Sequence, residues 1–174
     1  AHHLSASSAL KGCWFVPARG GLGESVDLQA NTIASNMAKK TGARYRLLHV
    51  PDHLGEEAYQ SLMQEGSIAE IVQFIRQANI VIHGIGEAMV MARRRKVEPV
   101  LTSALREDGA LGEAFGYYFD RTGRILHKMP MVGLRMEDIQ AMDWVVGIAG
   151  GRSKGEAIAA VLLLCMLLSG CWDR

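Results

Sequence analysis

The sequence predicts an α/β domain with a largely parallel sheet and one β-hairpin excursion at an edge. Three observations lead there. Short runs rich in Val, Ile and Leu recur between Gly and Pro, as in strands buried on both faces. Helical patterns lie between those runs. One Asp120-Arg121-Thr122-Gly123 turn joins two strand-like pieces.

The expected strands are Cys13 to Val16, Tyr45 to Val50, Ile80 to Gly84, Arg124 to Met129 and Trp144 to Ala149. Ala30, Ile33, Ala34, Met37 and Ala38 form an apolar helical stripe that Gly42 stops. Ser67 with Glu70 reads as a capping box before a second helix, and Ser153 with Glu156 as another before the last helix. Gly116 to Phe119 and Arg124 to Leu126 flank the hairpin turn. Ala157 to Leu168 is entirely apolar but shorter than the roughly 20 residues of a membrane span, so it reads as a buried helix.

A chain of 174 residues fits one domain with a sizeable core. With a net charge of +1 it has no global field for nucleic acid or membrane, so any charge-driven binding is local. Three cysteines without metal-ligand spacing, Cys13, Cys165 and Cys171, point to free thiols and a reducing, cytoplasmic setting. Trp14, Trp144 and Trp172 read as core or edge packing, and His2 and His3 as tag remnant or native sequence.

Ligands of parallel sheets sit at the carboxyl ends of strands, and four such ends carry glycines here. They are Arg19-Gly20-Gly21-Leu22-Gly23, His83-Gly84-Ile85-Gly86-Glu87, Met131-Val132-Gly133-Leu134 and Ala149-Gly150-Gly151-Arg152-Ser153-Lys154. Glycine lets backbone N–H groups approach a ligand, and a helix N-terminus beside them favours phosphate. With Ser153 as N-cap, Lys154 falls in the first helical turn, where a cation opposes the dipole; an anion explains it better than helix stability does. The alternative is a solvated surface lysine. Arg19 is either a bidentate phosphate contact or an arginine reaching the sheet rim. Gln29 either reaches a sugar hydroxyl or is simply exposed. Arg93-Arg94-Arg95-Lys96 complements a helix C-terminus or supplies a second phosphate contact; it is too small a cluster for a nucleic-acid claim. Glu87 and Glu113 are general-base or sugar-hydroxyl candidates, or surface ion pairs.

The common fingerprints fail. There is no G-x-x-x-x-G-K-[ST], and Met89 stands where Gly84-Ile85-Gly86 would need its third glycine. His49, His53, His83 and His127 show no metal-binding spacing, so no metal is expected.

Five blocks in order carry a resemblance: FVPARGGLGE…QANTIA, YRLLHVPDHLGEEAYQSL, VIHGIGEAMVMARRR, EAFGYYFDRTG and GIAGGRSKGEAI. From about Phe15 to Ala160 they resemble the effector-binding domain of the SorC family of bacterial transcriptional regulators, in particular the branch that controls central glycolytic genes. The resemblance implies a Rossmann-like three-layer sandwich, similar to the glucosamine-6-phosphate deaminase and ribose-5-phosphate isomerase fold. It implies a non-enzymatic sensor with no cofactor and no catalytic residue, whose effector, fructose-1,6-bisphosphate, relieves repression. It assigns ligand contacts to Arg19, Gln29, Arg94, Arg95, Glu113 and Lys154, with Gly20, Gly21, Gly84, Gly86, Gly150 and Gly151 in the supporting loops. A homo-oligomer, dimer or tetramer, is implied for the full-length protein, and DNA contact through an N-terminal domain that these residues do not include. The family's Gly-Gly-Thr-Thr phosphate loop would fall before Ala1, and the family pattern is lost from about Val161. The expectation is therefore one effector-binding domain, 1–174, truncated at both ends. The other readings are a sugar-phosphate isomerase or deaminase on the same fold, for which no acid–base pair is evident, and a degenerate fragment that no longer binds.

Overall fold

The computed structural model describes residue 6, residues 8–21 and residues 26–168, without the side chains of Leu28 and residues 164–168. Gly23, His2, His3, Cys171, Trp172 and the side chain of Cys165 lie outside the described residues. The chain divides into two compact units, 1–78 with 130–138, and 79–129 with 139–174.

The first unit holds strand β1 (Trp14–Phe15), helix α1 (Ala30–Thr41), strand β2 (Arg44–Tyr45) and helices α2 (Glu56–Gln64) and α3 (Gly66–Arg76). β1 and β2 pair in parallel. Helix α1 ends as its sequence dictates: Gly42 takes a left-handed conformation and its N–H returns to the Ala38 carbonyl. Ala34, Ala38, Leu48, Val72 and Ile75 form much of this unit's core.

The most constrained part of this unit is irregular. Segments 18–21, 50–53 and 130–134 interlock through their backbones. Gly20 N–H donates to Val132 O at 3.0 Å, Gly21 N–H to Val50 O at 2.9 Å, Asp52 N–H to Gly21 O at 2.9 Å, Val132 N–H to Asp52 O at 3.2 Å and Leu134 N–H to Ala18 O at 2.9 Å. Such close passage leaves no room for side chains. A Cβ on Gly20 would collide with Pro51 O and lie 2.6 Å from Val50 O. One on Gly133, whose φ is +140°, would collide with Ala18 O and lie 2.7 Å from Arg19 Cα.

The second unit holds β3 (Ile80–Gly84), β4 (Gly86–Glu87), α4 (Ala88–Arg94), α5 (Pro99–Glu107), β5 (Gly112–Ala114), β6 (Tyr117–Phe119), β7 (Ile125–Lys128), β8 (Trp144–Ile148) and α7 (Gly155–Leu168). Helix α6 (Met136–Gln140) lies where the chain passes from one unit to the other. Strand β3 pairs with β8 in parallel over five residues, while β4-β5-β6-β7 form an antiparallel sheet. The expected hairpin is thus half of a four-stranded sheet, and among the described residues the parallel pairs are two-stranded. Phe115 and Gly116, at φ 54° and 85°, make the two-residue turn between β5 and β6, the left-handed pair that matches strand twist.

Three expectations are corrected. The strands β3 and β8 are not buried on both faces: Ile80, Ile82, Trp144, Val146 and Ile148 are 40–67% exposed. In the in-register pair they share one face, which no other layer covers among the described residues. Ser67 forms no capping box. Helix α2 runs almost directly into α3, and Glu65 takes the N-cap position, its carbonyl accepting from Ile68 and Ala69. Ser153 does not cap α7 either. It lies in a 3₁₀ turn, Arg152–Lys154, and its hydroxyl donates to Glu87 Oε1 at 2.9 Å.

Two predictions follow from this geometry. Gly133→Ala is expected to cost more than about 2 kcal/mol of stability, read as a fall in the urea midpoint. In the β6–β7 turn, Asp120 accepts from the Thr122 hydroxyl at 2.6 Å and from the Thr122 and Arg124 N–H groups at 2.8 and 3.1 Å. The Thr122 hydroxyl is the chief reason that the Asp120 carboxyl is lowered from 3.8 to about 2. A folded-state value below the unfolded one gives stability that is present above about pH 4 and lost as pH falls toward about 2. The stability gap between the wild-type chain and Asp120→Asn should close over that interval.

Candidate functional site

Each unit holds some of the residues singled out in the sequence. In the first, Arg19 leaves the interlocked segment and its Nε lies 3.4 Å from Asp52 Oδ1. Asp52 is 2% exposed at its side chain and Arg19 is 23% exposed. The Arg19 backbone bridges Gly133 in antiparallel sense, and Gly21 bridges Pro51. Gln29 is the N-cap residue of α1. Its Oε1 lies 3.2 Å from where a Gly21 Cβ would stand, so its amide covers that glycine. Arg19, Gly20, Gly21 and Gln29 therefore form one local group.

In the second unit, Glu113 and Arg95 meet. Arg95 is the C-cap of α4 and Glu113 the middle residue of β5. Arg95 Nη1 donates to Glu113 Oε1 at 2.8 Å, with the two side chains 1% and 3% exposed. The same oxygen accepts the Gly116 N–H at 2.7 Å. One carboxylate thus pins a helix end and the turn that follows its own strand. Gly86 opposes Glu113 across the β4–β5 pair, and a Cβ there would meet Met91 and lie 3.4 Å from Glu113 Oε2.

Lys154 closes the 3₁₀ turn before α7. Its ammonium donates to the carbonyl of Ile85 at 2.9 Å, so this lysine has a local partner at the strand end that holds Gly84 and Gly86. Next to it, Ser153 reaches Glu87 on β4. Gly150 and Gly151 form the exposed approach to this turn, Gly151 at φ 105°. Arg94, an exposed residue, ends α4 with Nη1 3.6 Å from Met91 Sδ. The helix-end basic run thus splits: Arg94 is an exposed residue, whereas the Arg95 side chain is buried against Glu113. Sequence reasoning did not pair Asp52 with Arg19, Ile85 with Lys154 or Ser153 with Glu87, because the two members of each pair are far apart in the chain.

No group of three or more potential metal ligands occurs among the described residues, and no helix among them is long and apolar enough to cross a membrane. Each unit, by itself, holds a cation anchored near glycines, Arg19 by Asp52 in the first and Lys154 by the Ile85 carbonyl in the second, which is chemistry that suits anion binding.

A family model described as "Putative sugar-binding domain" matches residues 1–166. A solved structure described as the "putative SorC family transcriptional regulator from Enterococcus faecalis" superposes with a TM-score of 0.83 at 45% identity, covering 92% of this chain and 65% of that one. The chain belongs to the SorC sugar-binding domain family. This SorC-family chain is 49% identical over 148 residues to the "Central glycolytic genes regulator" of Priestia megaterium, covering 85% of this chain and 43% of that protein. It is 47% identical over 146 residues to the protein of the same name from Bacillus subtilis, covering 84% of this chain and 43% of that protein. It therefore spans less than half the length of these curated relatives. The curated relatives are by name regulators, and the Enterococcus faecalis relative a transcriptional regulator. The mixed α/β architecture, with parallel and antiparallel sheets, is that of the SorC sugar-binding domain.

The Arg95–Glu113 pair yields a stability prediction. Arg95→Ala or Glu113→Ala should each cost about 3–5 kcal/mol, because either leaves one buried charge uncompensated. The double variant should cost less than the sum, since it leaves none. Equilibrium urea unfolding of all four chains measures both.

Proposed function

We propose that this chain is the effector-sensing part of a repressor of glycolytic genes, and that its effector is a phosphorylated sugar, fructose-1,6-bisphosphate. The observation that carries the reading is the anchoring of a cation near glycines in each unit, Arg19 by Asp52 and Lys154 by the Ile85 carbonyl. An anchored cation beside an approachable backbone is the chemistry that recognises a phosphate. The names of the curated relatives supply the glycolytic setting. On this reading Arg19, Gln29, Arg94, Arg95, Glu113 and Lys154 serve the effector. Arg95 and Glu113 do so from inside a buried pair, and so shape the site more than they face solvent.

The same proposal includes a Rossmann-like three-layer architecture of the glucosamine-6-phosphate deaminase and ribose-5-phosphate isomerase type for the complete domain. The parallel pairs β1–β2 and β3–β8 support it. It also includes a cytoplasmic, homo-oligomeric whole protein whose DNA affinity falls when the effector binds. Effector binding shifts that equilibrium only by its difference in affinity between the two states.

Fructose-1,6-bisphosphate should stabilise the chain against heat, by about 2.7 kcal/mol at 100 times its dissociation constant, and fructose-6-phosphate should do so less. Differential scanning calorimetry with each ligand tests this; no shift at millimolar concentration removes the sensor reading. Lys154→Ala should weaken the bisphosphate response while costing only about 1 kcal/mol of stability, the scale of one hydrogen bond. Outright unfolding of that variant would make the lysine structural.

A further inference from the structure

We propose that Asp52 is the positioning residue for Arg19: a buried carboxylate that fixes the guanidinium so that its planar fork meets the effector phosphate. This rests on the reading above that Arg19 contacts a phosphate. Asp52 is held at both ends by backbone hydrogen bonds, its N–H to Gly21 O at 2.9 Å and its carbonyl accepting from Val132 N–H at 3.2 Å. Its carboxylate is 2% exposed and lies 3.4 Å from Arg19 Nε.

The next residue, His53, is tied down as well, with Nδ1 2.9 Å from the Pro130 carbonyl and a bridge to Met131. The carboxylate thus stands on a frame with little freedom. The backbone of Arg19 belongs to the same frame, through its bridge to Gly133 and the neighbouring Gly20–Val132 bond.

A buried ion pair is often no more stabilising than apolar residues of similar volume, so stability is a weak account of Asp52. Its use is orientation. An arginine side chain carries about 2 kcal/mol of rotamer entropy when unrestrained. A partner at Nε fixes the plane of the guanidinium, and the five-donor fork can serve a buried carboxylate and a phosphate together. The partial exposure of Arg19 beside a fully buried Asp52 is the asymmetry such a role requires: the anchor is inside and the contact at the surface.

A double-mutant cycle read by isothermal titration with fructose-1,6-bisphosphate tests the proposal on the full chain. Asp52→Asn should weaken binding about tenfold, by analogy with the low end of the loss when a partner that orients a metal ligand is removed. Arg19→Ala should weaken it at least as much. In the Arg19→Ala background, Asp52→Asn should change affinity no further, because it acts through that side chain. Multiplicative losses would overturn the proposal.

Asp52 is buried, so a second measurement needs no variant at that position. The Nε–H resonance of Arg19, assigned by its absence from Arg19→Lys, should be protected from solvent exchange in the ligand-free chain and should stay protected on adding the bisphosphate. Rapid exchange in the free chain would overturn the anchor. A protected Nε–H in a wild-type chain that binds no sugar phosphate would overturn the functional reading instead, and with it the positioning role, leaving Asp52 a structural partner.

Discussion

The close passage of three backbone segments, at Gly20 and Gly133, is the constraint on which the first unit depends. Peptide groups in a crowded interior must find partners, and here segments 18–21, 50–53 and 130–134 supply one another's. The approach is possible only because two positions lack a Cβ. Arginine 76 extends the tie, with its Nε 3.4 Å from Gly133 O and 3.5 Å from Asp138 Oδ2. An arginine placed on so rigid a frame has a fixed origin, and a buried aspartate then fixes its direction. On the proposed reading, backbone crowding and recognition by Arg19 are one device.

The second unit solves a related problem with charge. Phe115 sits in a left-handed conformation that costs a bulky residue of order 1–3 kcal/mol. Two contacts offset it. Glu113 accepts the Gly116 N–H across the turn, and the Phe115 ring lies against His83 with centroids 4.4 Å apart. The carboxylate that holds the turn also neutralises Arg95 inside the protein. Strain, turn and buried charge thus depend on one side chain. Replacing it disturbs the helix α4 end and the β5–β6 hairpin together.

Much of this was legible in the sequence, and particular residues show where legibility stops. Ile80 to Gly84 emerged as a strand of those bounds, and Asp120 to Gly123 as the hairpin turn, because β-branched runs and Asx turns are local signals. Gly42 ended its helix for the same reason. Burial was not legible: an Ile-Val run reports strand propensity, whereas the cover over its faces comes from other parts of the fold. The capping boxes failed because residues of the right type at the right spacing still need a helix that begins there, and α3 begins at Gly66 and α7 at Gly155. At the candidate site, Arg19 and Lys154 were singled out by the glycines beside them. Their anchors were not, since an aspartate after a proline carries no mark of the arginine it will meet, and a backbone carbonyl such as that of Ile85 carries no mark at all.

Lysine 154 brings a last consequence. A lysine waving in water surrenders rotamer freedom when a ligand immobilises it, by up to about 2 kcal/mol. The ammonium of Lys154 is already tethered to Ile85 O, so that loss has occurred during folding. On the proposed reading, an effector phosphate meeting Lys154 finds a side chain whose ordering the fold has already supplied.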